Sequence, residues 1–126
     1  MAEIEAGPVD DPAYQAIRGG HFQIVDVIPV SQIIAWDLGA GETETLSYAF
    51  WNREWTAIVD DRAARKCAQS LGLRFKGTLA VVITARLQGV IPSAGEVLRS
   101  MICAGFRLDQ NVVRDALART VGEKWD

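Results

Sequence analysis

AIVDDRAARKCAQSLGLRFKGTLAVVITARLQGVIPS, residues 57–93, decides the fold. With Thr56 its first residues form a short β-prone run, Thr56-Ala57-Ile58-Val59, which stops at two carboxylates, Asp60 and Asp61. An unbroken apolar run of this length has the character of a fully buried parallel strand. Asp61 is placed to cap a helix through Leu71, and Gly72 to close it in the left-handed region. Leu73-Arg74-Phe75-Lys76 then reads as a second short strand. Gly77-Thr78 opens a helix to Gln88, stopped by Gly89. Strands alternating with helices predict an α/β layer with parallel strands.

Working toward the C-terminus, Ser93 and Glu96 have the spacing of a capping box for a helix to Ala104. Asp109 can cap a last helix to Thr120, so the C-terminal part is predicted helical. Working toward the N-terminus, Gly41 precedes a helix from Glu42 to Arg53. Ile33, Ile34 and Trp36 fit a short helical turn. His21 to Ile28 alternates apolar and polar residues before Pro29 and reads as a strand. Asp10, Asp11 or Pro12 opens a short helix through Arg18, stopped by Gly19-Gly20, and residues 1–6 read as the tail of a helix ended by Gly7-Pro8. The 126 residues carry no repeat, linker or low-complexity tract, and the expectation is a single domain, 1–126.

Composition narrows the function classes. Hydrophobic residues make up 49% and charged residues 23%, enough for a modest core and a soluble surface. No apolar run reaches the ~18 residues of a membrane span, and the acidic N-terminus has no signal-peptide stretch. A cytoplasmic protein with no membrane partner is expected. His21 is the one histidine, and Cys67 and Cys103 are the two cysteines. A structural zinc site or a histidine-based triad therefore has no ligand set. The cysteines read as buried free thiols. Charge is uneven: residues 1–61 hold eleven carboxylates against Arg18 and Arg53, a sum of −9, whereas residues 62–126 hold eleven Lys/Arg against five carboxylates, a sum of +6. An acidic half beside a basic half suits a metal site next to a phosphate-binding surface, and equally suits ordinary surface charge.

The chemistry-bearing residues are acids. Asp60 and Asp61 stand at the carboxyl end of a strand, where open α/β sheets bind ligands. Glu42 and Glu44 stand at a helix start. Carboxylates meeting there make an oxygen-rich site suited to Mg²⁺ or Mn²⁺. Each also has a plain structural role: Glu42 and Glu44 favour the positive end of a helix dipole, and Asp61 is a good cap. Asp60 is the hardest to explain that way, because a carboxylate closing an apolar strand needs a partner. Glu42 and Glu44 are about 200° apart around a helix, which predicts one inward and one outward. Trp51 and Trp55 read as core packing. Arg62, Arg65 and Lys66 share one helix face and are candidate contacts for a nucleic-acid backbone, or a solvated face. No glycine-rich phosphate loop is present, and Ser47 and Thr78 have no general base beside them.

GETETLSYA at 41–49, the block at 57–93 and AGFRLDQNVVRDAL at 104–117 resemble, in order, successive blocks of a bacterial and archaeal family of PIN-related proteins. The resemblance covers about two-thirds of the chain. It implies a PIN-like fold, a parallel sheet flanked by helices. It implies kinship with Mg²⁺- or Mn²⁺-dependent ribonucleases, VapC-type toxins among them, in which clustered acids activate water for phosphodiester hydrolysis. On that pattern the strand-end acid falls on Asp60, with Asp61 beside it. The helix acid falls on Glu42 or Glu44, and an earlier helix acid on Glu3. RNA is the implied substrate and a protein antitoxin an implied partner. The chain departs from the pattern in one respect: no opening strand ends in an aspartate followed by Thr or Ser. The resemblance therefore implies an N-terminally truncated domain without the first family aspartate. An exposed sheet edge would need a homodimer or a partner chain to cover it. A catalytically degenerate binding module is the alternative, and a fragment completed by another polypeptide a third.

Overall fold

The computed structural model describes residues 23–125. The helices predicted over 1–6 and 10–18, and Glu3, lie outside the described residues. The order of elements is α1 (Ser31–Ile34), α2 (Ala40–Trp51), β1 (Ala57–Ile58), α3 (Arg62–Ser70), β2 (Phe75–Lys76), α4 (Thr78–Leu87), α5 (Ala94–Cys103) and α6 (Gln110–Thr120). β1 and β2 pair in a small parallel sheet flanked by helices, an α/β architecture. By compactness the chain divides into two units, one ending at Phe75 and the other beginning at Lys76.

In the first unit, β1-α3-β2 is a crossover built as the sequence dictates. The Asp61 side chain accepts from the Ala64 amide at 3.0 Å, which fixes the start of α3 and contributes about 1 kcal/mol. Ala64, Cys67 and Ala68, spaced three and four apart, form its buried face. Gly72 takes φ +68° and turns the chain back, so that Ala57 donates to the Arg74 carbonyl at 2.9 Å. The core joins Ile33, Leu46, Ala57, Val59, Cys67 and Leu73, with other small residues between them. Burial pushes the Cys67 thiol above its ordinary range. Ser47, fully buried, accepts from the Val30 amide at 3.1 Å and satisfies a donor that no helix or sheet takes up.

Three expectations for this unit are corrected. Residues 23–28 form no strand and join no sheet, although their burial follows the period of an extended chain. The alternation survives in burial, with Val25 and Val27 half-buried and Ile24, Asp26 and Ile28 exposed. The strand at 56–59 is covered on one face alone: Ala57 and Val59 are buried, but Ile58 is 47% exposed. A short β-branched run does not distinguish one covered face from two. Trp51 and Trp55 are 57% and 55% exposed, because α2 turns Leu46 and Ala49 to the core and leaves Trp51 on its outer side.

The second unit is helical apart from its first residues. α4 packs against α5 and α6 over Val82, Ile83, Leu98, Val113 and Leu117. Asp109 caps α6 through Asn111 and Val112. The Ser93 hydroxyl accepts from the Glu96 amide at 3.2 Å, but its outer partner is Glu123, to which it donates at 2.8 Å. Cys103 is exposed rather than buried, since α5 ends there and the chain turns away through Ala104 and Gly105.

Candidate functional site

Four of the acids that sequence reading singled out, Glu42, Glu44, Asp60 and Asp61, line one cavity of the first unit. It has a volume of about 600 Å³. One wall is the segment 23–28, through Gln23, Val25 and Val27. Another is the start of α2, through Glu42, Glu44 and Tyr48. The third is the run from Trp55 to Asp61. Asp60 and Asp61 therefore face the same space as Glu42 and Glu44. Both glutamates line it, although a regular helix would separate them. Glu42 lies in the first turn of α2 and its carboxylate folds back across the helix end: a Cβ at Gly39 would stand 2.5 Å from its Oε2. A long side chain at a helix start can lie over the end rather than on one face, drawn there by the positive end of the dipole. Gly39, the N-cap, offers no side-chain acceptor of its own.

Two aromatic side chains line the cavity. Tyr48 and Trp55 meet edge to face, with centroids 6.1 Å apart. Phe50 and Trp51 do the same at 5.2 Å. The Trp51 indole donates to the Ile28 carbonyl at 2.8 Å, which pins the segment 23–28 against α2. Tyr48, Trp51 and Ile28 also border a smaller hollow of about 270 Å³. Sequence reasoning missed these aromatic contacts. The available signal was three large aromatics, Tyr48, Trp51 and Trp55, at spacings of three and four across a helix end.

Arg62, Arg65 and Lys66 are all exposed on α3. Arg65 leans over the Phe75 ring at 5.8 Å. None of the three lines the cavity, although α3 begins directly after Asp61.

The donor set sets a limit on metal binding. Among the described residues, no three of His, Cys, Asp and Glu come close enough together to hold a metal ion. Four carboxylates share the cavity without forming one cage, so the described residues do not fit Mg²⁺ or Mn²⁺ by themselves.

In the second unit a different carboxylate gathers donors. Glu123 accepts from Ala94 N at 2.9 Å, Gly95 N at 3.0 Å and the Ser93 hydroxyl at 2.8 Å, with Arg86 Nε at 3.6 Å. Burial pushes this carboxyl up, but the two amides, the hydroxyl and the Arg86 charge pull it further down, and it ends below its ordinary range. Two residues on, Trp125 is buried, donates to Gln110 Oε1 at 2.6 Å and carries the Arg99 guanidinium over its ring at 4.8 Å. These are links of the fold, not of the cavity. No local pattern reveals them, because the hydrogen-bonded partners lie 15 to 30 positions apart.

Among the described residues no helix is long and apolar enough to cross a membrane. A family model described as a PIN domain matches residues 1–123. No curated protein and no solved structure matches the chain.

Proposed function

The chain belongs to the PIN-domain family, and from that membership we propose that it acts on RNA as a ribonuclease, with the acidic cavity beside β1 as its site. The observation that carries the reading is the arrival of Asp60 and Asp61, at the carboxyl end of β1, in one cavity with Glu42 and Glu44. Ligands of open α/β sheets bind at that end of the strands. In phosphodiester hydrolysis a water attacks phosphorus, and a carboxylate within reach orients that water and takes its proton. Asp60 is the residue we assign to that task, with Glu42 or Glu44 opposite it. Arg62, Arg65 and Lys66 would meet the RNA backbone outside the cavity. PIN domains generally use divalent metals, but the described carboxylates do not fit one unaided, and no step here is assigned to it. A toxin-like role paired with a protein antitoxin is part of this proposal.

A second reading has a specific observation in its favour. The lack of a three-acid group among the described residues, beside exposed Trp51 and Trp55, suits a degenerate PIN domain that binds without cutting.

The test is cleavage of a mixed RNA panel with Mn²⁺ or Mg²⁺ by the wild-type chain and by Asp60→Asn, with circular dichroism to verify folding. Cleavage by the wild type and not by the variant supports the ribonuclease. A folded wild type that cuts nothing, yet binds RNA in a salt-sensitive manner, supports the binding module. Cleavage unchanged by Asp60→Asn refutes the assignment of the site.

A further inference from the structure

Two exposed tryptophans flank the end of α2, and the fold accounts for one of them. Trp51 is 57% exposed but tied: its indole N–H donates to the Ile28 carbonyl at 2.8 Å, and its ring stands edge to face with Phe50 at 5.2 Å. Trp51 does not line the acidic cavity. Trp55 does line it, and is 55% exposed. Its ring meets Tyr48, with centroids 6.1 Å apart and planes at 73°. In an edge-to-face pair one partner offers its edge, so Tyr48 covers at most one face of the indole. At least one face is left for a flat ligand. The backbone holds the residue in place. Trp55 N donates to the Asn52 carbonyl at 3.0 Å, and Ala57 N, two residues on, donates to the Arg74 carbonyl at 2.9 Å.

Charge restricts what that ligand can be. Glu42, Glu44, Asp60 and Asp61 line the cavity, and no Lys or Arg is among the described residues that line it. A phosphate gains nothing from such walls. A nucleobase is uncharged, and stacking on an aromatic ring tightens its binding about five- to a hundredfold. The cations that suit a backbone, Arg62, Arg65 and Lys66, lie outside the cavity on α3, which starts directly after Asp61. Trp55 and Asp60 are five residues apart, at most about 18 Å along the chain. One RNA strand can therefore keep its backbone outside and turn a base inward within a few nucleotides of the carboxylates.

We propose that Trp55, supported edge to face by Tyr48, is a base-stacking residue that seats one nucleotide of the RNA beside the acids. The proposal rests on the reading of the chain as one that acts on RNA. It divides the work among three groups: the α3 cations hold the backbone, the aromatic pair holds a base, and the carboxylates are left for the phosphodiester. Stacking grips a base by its face. The contact is therefore indifferent to hydrogen-bonding edges and needs a base that is not already stacked in a duplex.

The test uses the full chain and a short, labelled single-stranded RNA in EDTA, with binding read by fluorescence anisotropy and folding by circular dichroism. The expected result is saturable binding that Trp55→Ala weakens by about tenfold and Trp55→Phe largely restores, while Trp51→Phe leaves it unchanged. The salt slope should be the same in Trp55→Ala as in wild type, because stacking releases no counterion. An RNA of the same length built of abasic nucleotides should bind wild type and Trp55→Ala equally. In the wild type the Trp55 indole protons should shift upfield with the intact RNA and not with the abasic one, a readout that needs no substitution. Trp55→Ala as tight as wild type, an equal loss toward abasic RNA, a changed salt slope, or indole shifts that ignore the bases each overturn the stacking role. Cleavage with Mn²⁺ is scored separately. Trp55-dependent binding without cleavage leaves the stacking role standing and sinks the ribonuclease. Asp60-dependent cleavage with binding indifferent to Trp55 sinks this proposal alone, and a folded chain that binds no RNA sinks both.

Discussion

Replacing Glu123 by Gln removes a charge from the point where the C-terminal segment grips α5. The carboxylate presents two oxygens: Oε1 accepts from Ser93 and Gly95, and Oε2 accepts from Ala94 and faces Arg86. An amide keeps one of them. Whichever way it turns, its NH₂ group meets a backbone N–H, and Ala94 and Gly95 are both buried. One buried donor left without an acceptor costs about 1–3 kcal/mol, and loss of the charge weakens the remaining bonds. The expected loss is about 2–3 kcal/mol, read by urea unfolding at pH 7 with the amide signals of α5 and α6 followed by NMR. The pH dependence gives a second check. The folded-state carboxyl lies below its ordinary range, so the unfolded chain takes up the proton first. Stability from Glu123 is then complete above the unfolded value of about 4.3 and is lost as pH falls through the lower folded value. The gap between wild type and Glu123→Gln should hold steady above pH ~5 and narrow below pH ~4. A variant within about 0.5 kcal/mol of wild type at pH 7, or a gap indifferent to acid, would refute this account of the grip.

Other substitutions have equally defined outcomes. Asp61→Ala removes the acceptor that caps α3 and should cost about 1 kcal/mol in urea unfolding. Gly39→Ala places a methyl against the Glu42 carboxylate; the flexible side chain should swing away, visible as a changed Glu42 carboxyl ¹³C shift with stability nearly unaltered. Leu98→Ala empties a fully buried position of the helical unit and should cost about 2–5 kcal/mol, visible as an early loss of α4–α6 signals in urea.

Much of the fold was legible because it rests on local chemistry. Asp61, Ser93 and Asp109 cap the helices that their positions predict. Gly72 and Gly89 take the left-handed conformation that side-chain-bearing residues avoid. Asp60 and Asp61 follow a strand, and Glu42 and Glu44 lie at a helix start, as their positions in the sequence predict. What could not be read was set by distance along the chain. Alternation at 23–28 marks an extended segment, but pairing needs a neighbour that sequence does not name. The exposure of Trp51 and Trp55 depends on which side of α2 meets the core, and aromatic character alone argues for the interior. The grip of Glu123 on α5 left no trace in either segment.

The Ser47 hydroxyl that holds the Val30 amide has a use in dynamics. Amides in helices and sheets exchange with solvent when those elements open. Val30 belongs to neither, and its protection depends on a side chain of α2. Its hydrogen-exchange rate therefore reports how often the stretch ahead of α1 lifts off α2, one bond at a time. Because the same stretch carries Val25 and Val27, that one amide can time the breathing of the cavity wall in the free chain, and its slowing would register any molecule that clamps the wall shut.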